Sequence, residues 1–116
     1  MKEELEKLAD EKRSRLILFP ISKRYECYIP CEVEIDVISG VDYWTDIIGI
    51  KQDVRYKVNS DNIKIDKKPV AGERVKGLLH AHVLGKEQDK LLVQYKIIGY
   101  PLTKSILIRQ EEVQKI

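Results

Sequence analysis

From Cys31 to Val37 the chain reads Cys-Glu-Val-Glu-Ile-Asp-Val, an unbroken alternation of apolar and acidic side chains. Only an extended backbone separates the two sets, because successive residues of a strand point to opposite faces. Cys31, Val33, Ile35 and Val37 then share one face, and Glu32, Glu34 and Asp36 share the other. A strand with one dry and one wet face has to cover the dry one with more sheet, which commits the surrounding sequence to β-structure.

The flanking segments follow the same grammar. The run 15–19 (RLILF) is ended by Pro20, and the alternating run 25–29 (YECYI) is interrupted by Pro30 before the pattern resumes. Ser39-Gly40 closes that strand, and Gly49 in the next β-prone run (42–50) is expected to mark a bulge. Residues 54–58 (VRYKV) and 63–65 (IKI) flank the turn-rich tetrapeptide 59–62 (NSDN) and are predicted to form a hairpin. After the 69–72 connection come strands at 74–84, 91–98 and 105–110, separated by turns at Gly85 and at Gly99-Tyr100-Pro101. The prediction is a mainly β fold, a small antiparallel barrel or sandwich of OB-fold or SH3-like size, over residues 15–116. A short N-terminal helix over residues 1–14 is expected to precede it. That stretch holds Glu, Lys, Leu and Ala without Gly or Pro, with acidic residues first and basic residues last. Its apolar stripe is only Met1, Leu5 and Leu8, too narrow to dock firmly.

A chain of 116 residues supports one hydrophobic core. Apolar residues make up 43% and charged residues 34%, and no apolar run is long enough to cross a bilayer, so a membrane partner is not expected. The charged N-terminus lacks the apolar centre of a secretory signal. Two cysteines, Cys27 and Cys31, do not make a disulfide scaffold, and a cytoplasmic location is expected.

His80 and His82 stand two apart in 78–85 (LLHAHVLG), so on a strand they face the same side and could meet one metal ion. Cys27 and Cys31 are the obvious candidates to complete a two-Cys, two-His set. Three residues separate them, one of them Pro30, whereas a zinc knuckle uses a tighter hook. Leu78 and Leu84 share the histidines' face, and wall residues of a sheet account for that pattern without an ion. No bound metal and no cofactor are expected. No catalytic residue is assigned either, since no nucleophile elbow, metal-binding helix or glycine-rich phosphate loop is present.

The formal net charge of +2 is unevenly spread. Residues 1–40 hold seven basic and nine acidic side chains, while residues 51–76 hold eight basic and four acidic. If the strands of this second region are neighbours, Lys51, Arg55, Lys57, Lys64, Lys67, Lys68, Arg74 and Lys76 combine into a basic strip able to follow a phosphate backbone. The sequence therefore favours a non-catalytic binding module for single-stranded or structured nucleic acid, alone or as an accessory subunit of a nucleic-acid-processing complex. The rival expectation is a protein-interaction subunit that uses Leu5, Leu8, Trp44 and the acidic strand, with the lysines serving solubility. A small enzyme or metal protein built around His80 and His82 ranks third.

Overall fold

The computed structural model describes residues 15–52 and 54–116. The helix expected over 1–14, with Leu5 and Leu8, lies outside them, as does Asp53. The described residues are mainly β: nine strands, three 3-10 turns and no α-helix among them. The strands are β1 (Ile17–Leu18), β2 (Tyr25–Ile35), β3 (Tyr43–Ile47), β4 (Tyr56–Val58), β5 (Ile63–Lys64), β6 (Val75–Glu87), β7 (Lys90–Lys96), β8 (Thr103–Arg109) and β9 (Gln114–Lys115). All belong to one antiparallel sheet in the order β4-β3-β2-β6-β7-β8, with β1 and β5 added to β6 and β9 to β2.

The sheet curls strongly into a half-barrel. Past the end of β7, Ile98 N–H donates to the Lys57 carbonyl on β4 at 2.7 Å, bringing together strands that lie four places apart in the sheet order. Curling buries the inward face, where Ile29, Val33, Val58, Leu79, Val83, Val93 and Ile108 are almost fully enclosed. Within β2 the alternation holds, with Cys27, Ile29, Cys31 and Val33 buried and Tyr28, Glu32 and Glu34 facing outward, but it ends with the strand at Ile35: Asp36, expected outward, is buried against Lys57, and Val37, expected inward, is exposed. A bulge shifts the β6–β7 register between Val83 and Gly85. At Gly85 a Cβ would overlap the Ile17 carbonyl oxygen, so this position lets β1 lie against β6.

Three local expectations are corrected. Pro30 does not interrupt its strand; β2 runs through it. Its carbonyl accepts from Ile48 N–H at 3.1 Å, so the side of the strand that lacks a donor faces the frayed end of β3 and not β6. Gly49 makes a turn after β3 with φ +82° and is not a bulge. The segments at 56–58 and 63–64 do not form a hairpin. Between them the Asn59 side chain accepts from Asp61 N–H at 2.9 Å and caps a 3-10 turn, Ser60–Asn62, that redirects the chain. As a result β4 pairs with β3 while β5 crosses to β6.

Candidate functional site

Loss of that hairpin splits the basic residues into two groups. Register sets Lys57 opposite Trp44, Trp44 opposite Glu34, and Asp46 opposite Glu32, so the cations of the β4 edge lie over the acidic face of β2 and β3. Arg55 Nη2 donates to Glu34 Oε2 at 3.2 Å. Arg55 Nε and Asp46 Oδ2 are both buried and lie 3.3 Å apart without hydrogen-bond geometry, so their attraction is coulombic. Arg74 adds Nε at 3.6 Å from Glu34 Oε2 and Nη1 at 3.6 Å from Asp46 Oδ2. Lys57 Nζ donates to the buried Asp36 at 3.0 Å. The Lys57 hydrogen bond holds the Asp36 carboxyl below the ordinary value of 3.8, against the opposing effect of its desolvation. Lys57 also sits 5.5 Å above the Trp44 ring, so this half-buried indole is capped by a cation.

The other group stays outside that network. Lys51, Lys64, Lys67, Lys68 and Lys76 are exposed and make no salt bridge with a described residue. Lys64 lies 5.7 Å from the Tyr28 ring centroid, where β5 and β2 flank β6.

The outward face of β2 and β6 gathers residues distant in sequence. Antiparallel register sets Tyr28 opposite His80 and Glu26 opposite His82. Tyr28 and His80 meet edge to face with ring centroids 6.0 Å apart, and His80 meets His82 in the same way at 5.1 Å. The two imidazoles and the carboxylate converge: His80 Nε2 is 3.1 Å and His82 Nε2 is 3.7 Å from Glu26 Oε1. Two clefts flank these rings. One, of about 440 Å³, is lined by His80, His82, Arg24, Gln94, Lys96 and Thr103 among others. The second, of about 260 Å³, is lined by Tyr28, Lys64, Asp61, Asn62 and Ile63, with His80 shared between the two.

Cys27 and Cys31 lie on the opposite, buried face of the same sheet and cannot join the histidines. Burial pushes the Cys27 thiol from 9.0 to about 11 and the Cys31 thiol to about 12, which keeps both protonated and unsuited as ligands or nucleophiles near neutrality. Glu26, Arg24 and Lys96 were not among the residues the sequence singled out. No local motif joins them to the histidines; only the β2–β6 register and the curl of the sheet do. No protein-family model, curated protein or solved structure matches this chain.

Proposed function

We propose that the protein is a non-catalytic binding module for single-stranded nucleic acid, and that the contact surface is the outward face of β2, β5 and β6. The curled sheet is read as a small barrel of OB-fold or SH3-like size left open between β4 and β8. The observation that carries the proposal is the ring row Tyr28–His80–His82, flanked by Lys64 and opening into two clefts with cationic side chains. Flat rings offer stacking surfaces to any base, and neighbouring lysines neutralise phosphates. Within the strip expected from the sequence, Lys64, Lys67, Lys68 and Lys76 take this role, with Arg24 and Lys96 added. Arg55, Lys57 and Arg74 are already engaged by carboxylates and serve the fold.

Fluorescence anisotropy of a labelled mixed-sequence single-stranded oligonucleotide tests the proposal. Binding is expected at low salt, with log K falling against log[salt] at a slope of roughly −3 if about four phosphates are neutralised. Tyr28→Ala is expected to cost about 1–3 kcal/mol of binding, and reversal of Lys64, Lys67 and Lys68 to glutamate to abolish it. Absence of binding by the parent protein at low salt sinks the proposal.

A second reading, a protein-interaction subunit, has one specific observation in its favour. The β2–β3 loop exposes Val37, Ile38 and Val41, and the β7–β8 loop exposes Ile98, Tyr100 and Leu102. Lys57 ties the two loops together, through its side chain to Asp36 and its carbonyl to Ile98 N–H. Clustered exposed apolar side chains of this kind mark contact surfaces. Replacing Ile38 and Tyr100 with serine leaves oligonucleotide binding intact if the two surfaces are separate.

A further inference from the structure

The convergence on Glu26 goes beyond a stacking surface and does not depend on it. Two imidazole nitrogens point at one carboxylate oxygen, and the ligating atoms of Glu26, His80 and His82 all lie within 4.8 Å of one another. The backbone causes this arrangement. His80 and His82 alternate onto the outward face of β6, and antiparallel register sets Glu26 directly across from His82 and diagonally from His80. All three come from regular strands, so their Cβ positions are fixed by the ladder and not by a loop.

We propose that Glu26, His80 and His82 form a binding site for a divalent transition-metal ion of the Zn²⁺ class. A tetrahedral ion with nitrogen and oxygen ligands at 2.0–2.1 Å holds neighbouring ligand atoms roughly 3.3 Å apart. The separations to Glu26, 3.1 and 3.7 Å, straddle that value and the third, between the imidazoles, is no more than 4.8 Å, so side-chain rotation alone can close the three atoms around an ion without moving the strands. Two imidazoles and one carboxylate suit Zn²⁺, Co²⁺ or Ni²⁺. An oxygen-only shell is what Mg²⁺ and Ca²⁺ require, and thiolate or thioether is what Cu⁺ prefers. The side chains of His80, His82 and Glu26 are 28, 45 and 58% exposed, which gives an ion direct access from solvent. Both histidines line the larger cleft together with Arg24 and Lys96. Three protein ligands leave a fourth position for water or an anionic oxygen, and these two cations favour the anion.

The test uses the full chain, dialysed against chelator and then against buffer. Zn²⁺ is titrated by calorimetry and Co²⁺ by visible absorption. The expected result is one equivalent of either ion, an intense Co²⁺ visible band of low coordination number, and a higher melting temperature with Zn²⁺ present. His80→Ala and His82→Ala should each abolish stoichiometric uptake, and Glu26→Gln should weaken it. All three variants should keep the parent's metal-free melting temperature, because these side chains lie outside the core. Uptake no greater than that of the His80→Ala/His82→Ala double variant overturns the proposal. So does uptake indifferent to Glu26→Ala, or a Co²⁺ spectrum with thiolate charge-transfer bands, which would put the ion at Cys27 or Cys31.

Discussion

Reversal of charge at Arg55 separates two views of the basic residues. On the outer surface of an isolated basic strip, glutamate at this position would leave stability almost unchanged. In the folded protein Arg55 reaches Glu34 at 3.2 Å and Asp46 at 3.3 Å, with side chains of 34, 27 and 29% exposure. Such half-buried pairs fall between exposed ones, worth up to ~1 kcal/mol, and buried ones, whose breaking costs ~3–5 kcal/mol. About 1 kcal/mol for each of the two contacts gives about 2 kcal/mol lost on removing the guanidinium. A new carboxylate among Glu34 and Asp46, at about 5 Å, adds repulsion of about 1 kcal/mol even at the dielectric of bulk water. Arg55→Glu should therefore destabilise by about 3 kcal/mol, lowering the melting temperature by roughly 12 °C at about 4 °C per kcal/mol. Lys64→Glu, exposed and outside the network, should stay within about 0.5 kcal/mol. Urea titrations of both variants measure the difference, and Arg55→Glu combined with Glu34→Arg should recover part of the loss. Equal, small effects for Arg55→Glu and Lys64→Glu would show that the carboxylates do not hold Arg55 and would return it to the free surface.

Three further outcomes follow from the same geometry. Asp36 has a lowered carboxyl value in the fold, so its contribution is present above pH 3.8 and is lost as pH falls through the still lower folded value; the acid limb of stability should shrink in Asp36→Asn, measured by urea midpoints against pH. Cys27 and Cys31 have raised thiol values, so the stability they support is complete below pH 9.0 and declines as pH rises towards 11–12; both should resist Ellman's reagent at pH 8 until denaturant is added, and rapid native-state labelling would contradict their burial. Gly85→Ala should displace β1 at a cost of about 1–3 kcal/mol, and hydrogen exchange reads it directly, since Phe19 N–H, bonded to the Leu84 carbonyl at 2.8 Å, should lose protection.

Sequence alone settles which segments extend and, along β2, which face is dry. Period-two alternation is local, and the inward set of Cys31 and Val33 on β2 follows from it without knowledge of neighbours, whereas on β6 apolar residues on both faces leave the dry side, Leu79, Ala81 and Val83, to be decided by the partner strands. The turns at Ser39-Gly40 and Gly99-Tyr100-Pro101 were legible for the same reason: their backbone chemistry is written in adjacent residues. Pairing was not legible, because strands pair through backbone groups that every residue carries. The turn-rich segment 59–62 therefore looked like a hairpin although it is a crossing, and nothing local set Arg55 and Lys57 over carboxylates while leaving Lys64 beside Tyr28. The histidines show the division most sharply. Their shared face was readable from a spacing of two, but their third neighbour, Glu26, lies 54 residues from His80 and reaches it only because β2 and β6 pair in one register. A slip of one residue would have turned Glu26 into the core and Cys27 toward the imidazoles, and burial of the apolar face of β2 is what forbids that slip.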